Sequence, residues 1–173
     1  HEGRGMQSSL EWAISAAASI GIHFLDDGFA IEIYEADGPL HISGTMGQHS
    51  SASQELVISR LTDLKARQTT TIHYAVESAA VDRPGQLAIA IMGRMSARDA
   101  NSLLRVRRNR AQGLAMLLDV DSYADEPASE RQRTQHELAG QILRDNQWRV
   151  IDVPRGMGVA EAWSALEQLN TAV

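Results

Sequence analysis

The sequence predicts an α/β domain whose mainly parallel sheet is covered by helices on both faces. Two short runs, "QLAIAIM" and "LAMLLDV", are apolar without interruption, as strands buried on both faces are. Segments with helical periodicity separate the predicted strands, and strands joined through helices form parallel βαβ units. A chain of 173 residues is long enough for one domain with a sizeable core. We therefore expect residues 1–173 to form a single α/β domain.

The first half of the chain begins with a helix and continues into a hairpin. Residues 8–25 place apolar side chains every three or four positions, and Ser8 and Glu11 have the spacing of a capping box. Residues 29–36, "FAIEIYEA", alternate in polarity as a half-buried strand does. The Asp37-Gly38 turn then allows "PLHIS" to return as a short strand.

The second half alternates helices with buried strands. Ser96 and Asp99 are spaced as a cap pair at the start of one of these helices. The predicted helices are 51–67, a short one within 69–80, 96–112, 129–146 and 158–170, and the predicted strands are 86–92, 114–120 and "WRVIDV".

Composition excludes several functional classes. The net charge is −6, which does not favour nucleic-acid binding by the whole molecule. The chain contains no Cys, so disulfides, thiol catalysis and cysteine-bound zinc are excluded. No apolar run reaches the roughly 18 residues that a membrane helix needs. Because the chain begins at His1 rather than Met, we expect a piece of a longer protein, in which residues 1–5 are either native or added.

The stretch "LLDVDSYADE" concentrates acids at the end of a predicted buried strand. Asp119 and Asp121 are expected to lie at the carboxyl edge of the sheet, where α/β proteins bind ligands, and on one side of the strand. Two carboxylates could hold Mg²⁺. The alternative, which we favour, is that these acids end a core strand and solvate the loop that follows.

The cluster "RVRRNR" is the most basic stretch of the chain. On a helix, Arg105 and Arg108 lie close to one face and could bind an acidic partner or a phosphate. The alternative is a solvated helix end whose positive charge complements the helix dipole. The glycine-rich pieces "GTMGQ" and "RGMGV" match no complete phosphate-binding motif.

Four stretches together resemble a known family. They are "SSLEWAISAAASIGIHFLDDG", "AIAIMGRMSARDANSLLRVRR", "LAMLLDVDSY" and "WRVIDVPRGMGVAEAWSALEQL". In order and spacing they resemble the C-terminal region of the domain-of-unknown-function 58 family in its actinobacterial form. The resemblance implies a von Willebrand factor A-like three-layer sandwich that lacks its first strand here. It also implies a MoxR-type AAA+ ATPase as partner, and a full-length protein anchored at the cytoplasmic face of the membrane.

The resemblance also implies where a metal site would lie. A von Willebrand A domain binds a divalent metal through D-x-S-x-S after the first strand, a Thr before a mid-domain helix and an Asp after the next strand. The D-x-S-x-S strand would precede His1, the Thr corresponds to Thr70 or Thr71, and the Asp position reads Gly93-Arg94-Met95. On this alignment Asp119 lies one strand too late, so we expect no metal and no cofactor.

Two functions remain open at this point. The favoured one is a non-enzymatic protein–protein interaction or assembly module that uses Arg105 and Arg108 and acts with the ATPase. The other is a small-ligand-binding or hydrolytic Rossmann-like domain that uses the strand ends near Thr70, Asp119 and Asp121. If the sheet lacks a strand, its open edge would also favour a homodimer.

Overall fold

The structure is a computed structural model that describes residues 3, 8–35, 38–40, 51–64, 72–79, 86–107, 112–126 and 128–169. The helices are α1 Ser9–Asp26, α2 Ser51–Thr62, α3 His73–Ala79, α4 Ala97–Arg107, α5 Glu130–Asp145 and α6 Val159–Gln168, with a 3₁₀ turn at Val120–Tyr123. The strands are β1 Ile33–Glu35, β2 Gly38–Leu40, β3 Leu87–Met92, β4 Gln112–Leu118 and β5 Trp148–Val153. No helix among these residues is both long and apolar enough to cross a membrane.

The strands form two separate ladders. β3, β4 and β5 make a parallel sheet in that order, with Ile89 opposite Leu114 and Met116 opposite Ile151. β1 and β2 pair antiparallel as a hairpin, with Ile33 opposite Leu40. The predicted α/β class with a parallel sheet between helices is therefore confirmed.

Local sequence signals start several of the helices. The Ser8 hydroxyl accepts the Glu11 N–H at the start of α1, which is the expected Ser8 contribution to the cap. Ser96 caps α4 by accepting the Asp99 N–H, and the Asp99 carboxylate in turn accepts the Ser96 N–H. α5 carries a complete capping box, in which Ser129 and Gln132 satisfy each other's backbone donors.

Both faces of the parallel sheet are covered by helices. Alternate residues of β4 point to opposite faces, and every residue of the strand after the exposed Gln112 is buried. The α4–α5 face buries Val76, Ala88, Ala90, Met95, Ala100, Leu103, Val106, Ala115, Leu117, Ala139, Leu143, Trp148 and Val150. The α1–α6 face buries Ala13, Ala16, Ile20, Leu114, Met116, Leu118, Val120, Val153, Ala162 and Leu166.

A third cluster connects α1 to the hairpin side of the molecule. Val57 and Leu61 of α2 are fully buried there, with Ile31 and Ile33 packed against them. Gly21 of α1 permits this approach, because a Cβ at that position would lie 3.2 Å from Ile31 Cδ1. Helix α1 therefore packs against two structures, the parallel sheet and the segment that leads into β1.

Several predicted bounds were wrong. The strand predicted over residues 29–36 begins at Ile33 instead of residue 29, and α2 ends at Thr62 instead of residue 67. β4 ends at Leu118, two residues before its predicted end, because Asp119 begins the 3₁₀ turn instead of continuing the strand. This last difference changes the geometry of the predicted acidic site.

Candidate functional site at the carboxyl edge of the parallel sheet

The three parallel strands end at one edge of the sheet, and their following loops meet there. β3 ends at Met92, β4 at Leu118 and β5 at Val153. Ligands of open α/β sheets bind at this carboxyl edge, so a functional site is expected here. Polar side chains from all three loops, and from α5, lie in this region.

An ion pair joins the loops that follow β3 and β4. One guanidinium nitrogen of Arg94 lies 2.6 Å from Asp121 Oδ1, and both side chains are about three-quarters buried, with exposures of 25% and 23%. Arg133 of α5 approaches the second carboxylate oxygen at 3.9 Å, while it also donates to the Ala128 carbonyl. The Asp121 carboxylate is therefore neutralised by the protein itself.

A hydrogen-bond chain connects the ends of β4 and β5. The Asp119 N–H donates to the Val153 carbonyl at 2.9 Å. The Ser122 hydroxyl donates to the Asp119 carbonyl at 2.6 Å and accepts from the Arg155 N–H at 3.1 Å. These bonds hold the 3₁₀ turn against the β5 loop.

The predicted placement of Asp119 and Asp121 on one side of a strand was wrong. Asp119 is exposed and caps the 3₁₀ turn by accepting from the Ser122 N–H, whereas Asp121 lies within the turn and faces Arg94. Asp121 also does more than solvate a loop, because it is partly buried in an ion pair. In the part of the chain that the structure describes, no group of three or more acidic or histidine side chains could hold a metal ion.

His136 is a member of this region that sequence reasoning missed. Its Nδ1 accepts the Met95 N–H at 3.2 Å, which ties α5 to the loop after β3. Burial lowers the pKa of His136, against the opposing effect of the carboxylates of Asp152, Asp119 and Asp121. A lone histidine on a polar stretch of helix provides no sequence signal for this role.

Tyr123 lies at the base of the same edge. Its side chain is 6% exposed, and its hydroxyl has no hydrogen-bond partner among the described residues. Burial raises the pKa of Tyr123, the nearby Arg155 opposes that shift, and Asp119 adds to it. The Arg155 guanidinium lies 5.9 Å from the ring centroid, within cation–π range.

The predicted arginine surface is described only in part. Arg105 lies exposed on α4, whereas Arg108 lies outside the described residues, as does Thr70. The neighbouring Arg107 has a structural role, because it donates to the Asn146 carbonyl at 2.8 Å and to the Gln147 side chain at 3.1 Å. Of the two arginines of the cluster that the structure describes, Arg105 is exposed and Arg107 is half-buried.

The "RGMGV" loop has a structural role as well. Gly158 is the N-cap residue of α6, and the Met157 carbonyl accepts the Trp12 indole N–H at 2.7 Å. Gly156 has a φ of 94°, a conformation that favours glycine. These features explain the glycines by backbone geometry and by contact with α1.

The protein is therefore an α/β domain in which ion pairs and hydrogen bonds join the loops at the carboxyl edge of the parallel sheet. Comparison of the chain with family models, with curated proteins and with solved structures finds no match.

Proposed function

We propose that this protein is a non-enzymatic interaction or assembly module of the von Willebrand A-like type, which acts with a MoxR-type AAA+ ATPase. The observation that carries the proposal is the Arg94–Asp121 ion pair at 2.6 Å. It neutralises a carboxylate at the edge where an α/β domain would otherwise collect charged ligands. Such an edge suits recognition of a folded partner better than coordination of a cation.

The von Willebrand A-like assignment is supported by the sheet and by the chemistry of its edge. Parallel strands with helices on both faces are compatible with that fold. The position that would hold the metal-binding acid is occupied instead by Gly93-Arg94-Met95, and Arg94 directs a positive charge at Asp121. A cation placed there would meet a guanidinium that already occupies the carboxylate.

The arginine of the proposed contact is Arg105. It is exposed on α4, and its charge is available to an acidic surface of the ATPase. We extend the same contact to Arg108, its neighbour on the predicted face of the helix. Rim charges of this kind chiefly change association rates and their dependence on salt.

Binding of the purified protein to a MoxR-type ATPase from the same source tests the proposal. Surface plasmon resonance with ATP, with ADP and without nucleotide should show saturable binding. Arg105→Glu should slow association by roughly tenfold at low salt. Arg131→Glu is the matched control, because Arg131 is an exposed arginine on the neighbouring helix α5.

The competing function is tested by calorimetric titration with Mg²⁺, Mn²⁺ and nucleotides. The interaction module should give no saturable heat. Saturable binding of a nucleotide that is lost in Asp121→Asn would support the ligand-binding alternative at the strand ends. Absence of ATPase binding in every nucleotide state would refute the proposed partnership.

A further inference from the structure

His136 holds the loop that joins β3 to α4. Its Nδ1 accepts the Met95 N–H at 3.2 Å, and this hydrogen bond connects α5 to the loop of residues 93–96. The Met95 side chain is 2% exposed and packs in the cluster under α4 and α5. The loop is therefore fixed at Met95 by a hydrogen bond to its backbone and by apolar packing of its side chain.

The acceptor role of Nδ1 determines where a further proton adds to the ring. A neutral imidazole carries one hydrogen, so a ring whose Nδ1 accepts a hydrogen bond carries that hydrogen on Nε2. The next proton must then add to Nδ1, and it changes this nitrogen from an acceptor into a donor. Because the Met95 N–H is also a donor, protonation of His136 and the bond to Met95 exclude each other.

Charges of both signs face the His136 ring from the elements around α5. They are Asp152 of β5, Asp119 and Asp121 at the turn after β4, and Arg94 in the loop after β3. Burial lowers the pKa of His136 below its ordinary value of 6.5, and Arg94 adds to this shift, while the carboxylates oppose it, Asp152 most strongly. The bond to Met95 is therefore intact above pH 6.5 and breaks only in more acidic solution.

Arg94 links the Met95 bond to the ion pair at the sheet edge. It directly precedes Met95, and its guanidinium lies 2.6 Å from the Asp121 carboxylate. An imidazolium at His136 repels Arg94 and attracts Asp121, so protonation weakens this ion pair. Arg133 of α5 lies 3.9 Å from the second oxygen of Asp121, so the carboxylate keeps a cation beside it when Arg94 leaves.

We propose that the hydrogen bond between His136 and Met95 is an acid-sensitive latch, which holds the loop of residues 93–96 against α5 and releases it, together with Arg94, when His136 is protonated. The proton comes from the solvent and adds to Nδ1. The cap of α4 does not involve His136, because Ser96 and Asp99 bond to each other. The opening is therefore local, and it is independent of the proposed partnership with an ATPase.

NMR of the ¹⁵N-labelled protein tests the latch atom by atom. The ¹⁵N shifts of the neutral His136 ring should place its hydrogen on Nε2. As the pH falls from about 7.5 through the titration of His136, the Met95 amide should shift with the midpoint of the ring. Its hydrogen-exchange protection, corrected for the pH dependence of intrinsic exchange, should fall by at least about tenfold. The amide of Leu143, which is fully buried later in α5, should keep its protection.

Substitutions separate the latch from a general effect of acid. His136→Gln supplies an amide oxygen that does not titrate in this range, so the Met95 amide should lose its pH dependence. Asp152→Asn removes the carboxylate that most favours the imidazolium, so the midpoints of the ring and of the Met95 amide should fall together. The Asp152 side chain is 66% exposed, so this variant should fold normally. His23→Gln is the matched control, and it should leave both midpoints unchanged.

Three results would overturn the inference. A neutral His136 ring with its hydrogen on Nδ1 would have no acceptor for the Met95 N–H. Protection of the Met95 amide that stays constant through the titration of His136 would mean that the loop is not released. Loss of protection at Leu143 with the same midpoint would mean that acid unfolds the protein as a whole instead of opening a local latch.

Discussion

At the scale of single residues, the contact between Arg94 and Asp121 illustrates how the sheet edge is stabilised. Each side chain is partly removed from water, and each would be left without its nearest opposite charge if the other were truncated. A hydrogen bond to a charged group contributes about 1.5–3 kcal/mol, more than an exposed surface pair does. The ion pair therefore stabilises the edge as well as neutralising it.

Asp121→Ala should reduce the free energy of unfolding by about 1–3 kcal/mol, because Arg94 would keep a partly buried charge without this partner. The control is Asp125→Ala, because Asp125 is an exposed acid in the same loop. This substitution should change the free energy of unfolding by no more than about 0.5 kcal/mol. Urea unfolding followed by circular dichroism measures both. Equal losses would mean that the ion pair adds nothing to stability.

His136 predicts a pH dependence of stability. Its pKa is lowered in the folded protein by burial, below the ordinary value of 6.5. As the pH falls through 6.5, the unfolded chain takes up a proton that the folded protein does not, so unfolding becomes more favourable. The contribution is thus fully present above pH 6.5 and is lost as the pH falls toward the folded pKa.

The His136→Gln variant should therefore lose less stability than the wild type between about pH 7 and pH 5. His23→Gln, at a histidine whose side chain is 62% exposed, serves as the control for substitution itself. Denaturant unfolding at a series of pH values gives the slope of the unfolding free energy against pH for the wild type and for each of the two variants. Identical slopes for the wild type and His136→Gln would show that the imidazole does not contribute.

At the scale of elements, β4 and β5 are fitted together at Gly113. A Cβ at this position would lie 2.6 Å from Cδ2 of Trp148, a distance that real Cβ contacts do not show. Trp148 is 4% exposed and begins β5, directly opposite Gly113 in the ladder. The absence of a side chain on β4 thus provides the space for the indole ring.

Gly113→Ala should consequently destabilise the protein by about 1–3 kcal/mol, since the buried indole must move to accommodate the methyl group. Gln112→Ala changes the preceding, exposed residue of the same strand and should stay within about 0.5 kcal/mol. Thermal unfolding of the two variants makes the comparison. Unchanged stability of Gly113→Ala would mean that Trp148 repacks without cost.

At the scale of the whole molecule, the side chains at the carboxyl edge of the parallel sheet determine how the stability of the protein should respond to divalent cations. Asp119 and Asp121 do not converge, and Asp121 is held by Arg94. Cation affinity depends on the number and charge of oxygen ligands. The described residues offer no suitable group of three.

Millimolar Mg²⁺ should therefore leave the melting temperature of the protein unchanged. A ligand that binds only the folded state at 100 times its Kd would stabilise it by about 2.7 kcal/mol, which a thermal scan detects easily. NaCl at the same ionic strength is the control for the screening of charges by salt. An Mg²⁺-specific rise of several degrees would refute the neutralised-edge interpretation.

The sequence by itself determined the type and order of the main helices and strands. Apolar periodicity and caps such as those at Ser8 and Ser96 act over a few neighbouring residues, so they can be recognised without a fold. The burial of Leu117 and Leu118 also followed from the continuous apolar run of β4, and both are fully buried. Element ends were less predictable, because the termination of β4 at Leu118 depends on the 3₁₀ turn that Asp119 caps.

Only the tertiary structure decided which polar groups meet at the sheet edge and which strand edge stays without a partner strand among the described residues. Arg94 reaches Asp121 because β3 and β4 are parallel neighbours, and His136 reaches Met95 because α5 packs beside the loop after β3. β3 and β4 have the same apolar appearance in the sequence, yet among the described residues β4 pairs on both sides and β3 on one. Strand order and helix placement set these contacts. Both depend on burying the two apolar faces of the parallel sheet at the same time, and a pattern of neighbouring residues does not contain that information.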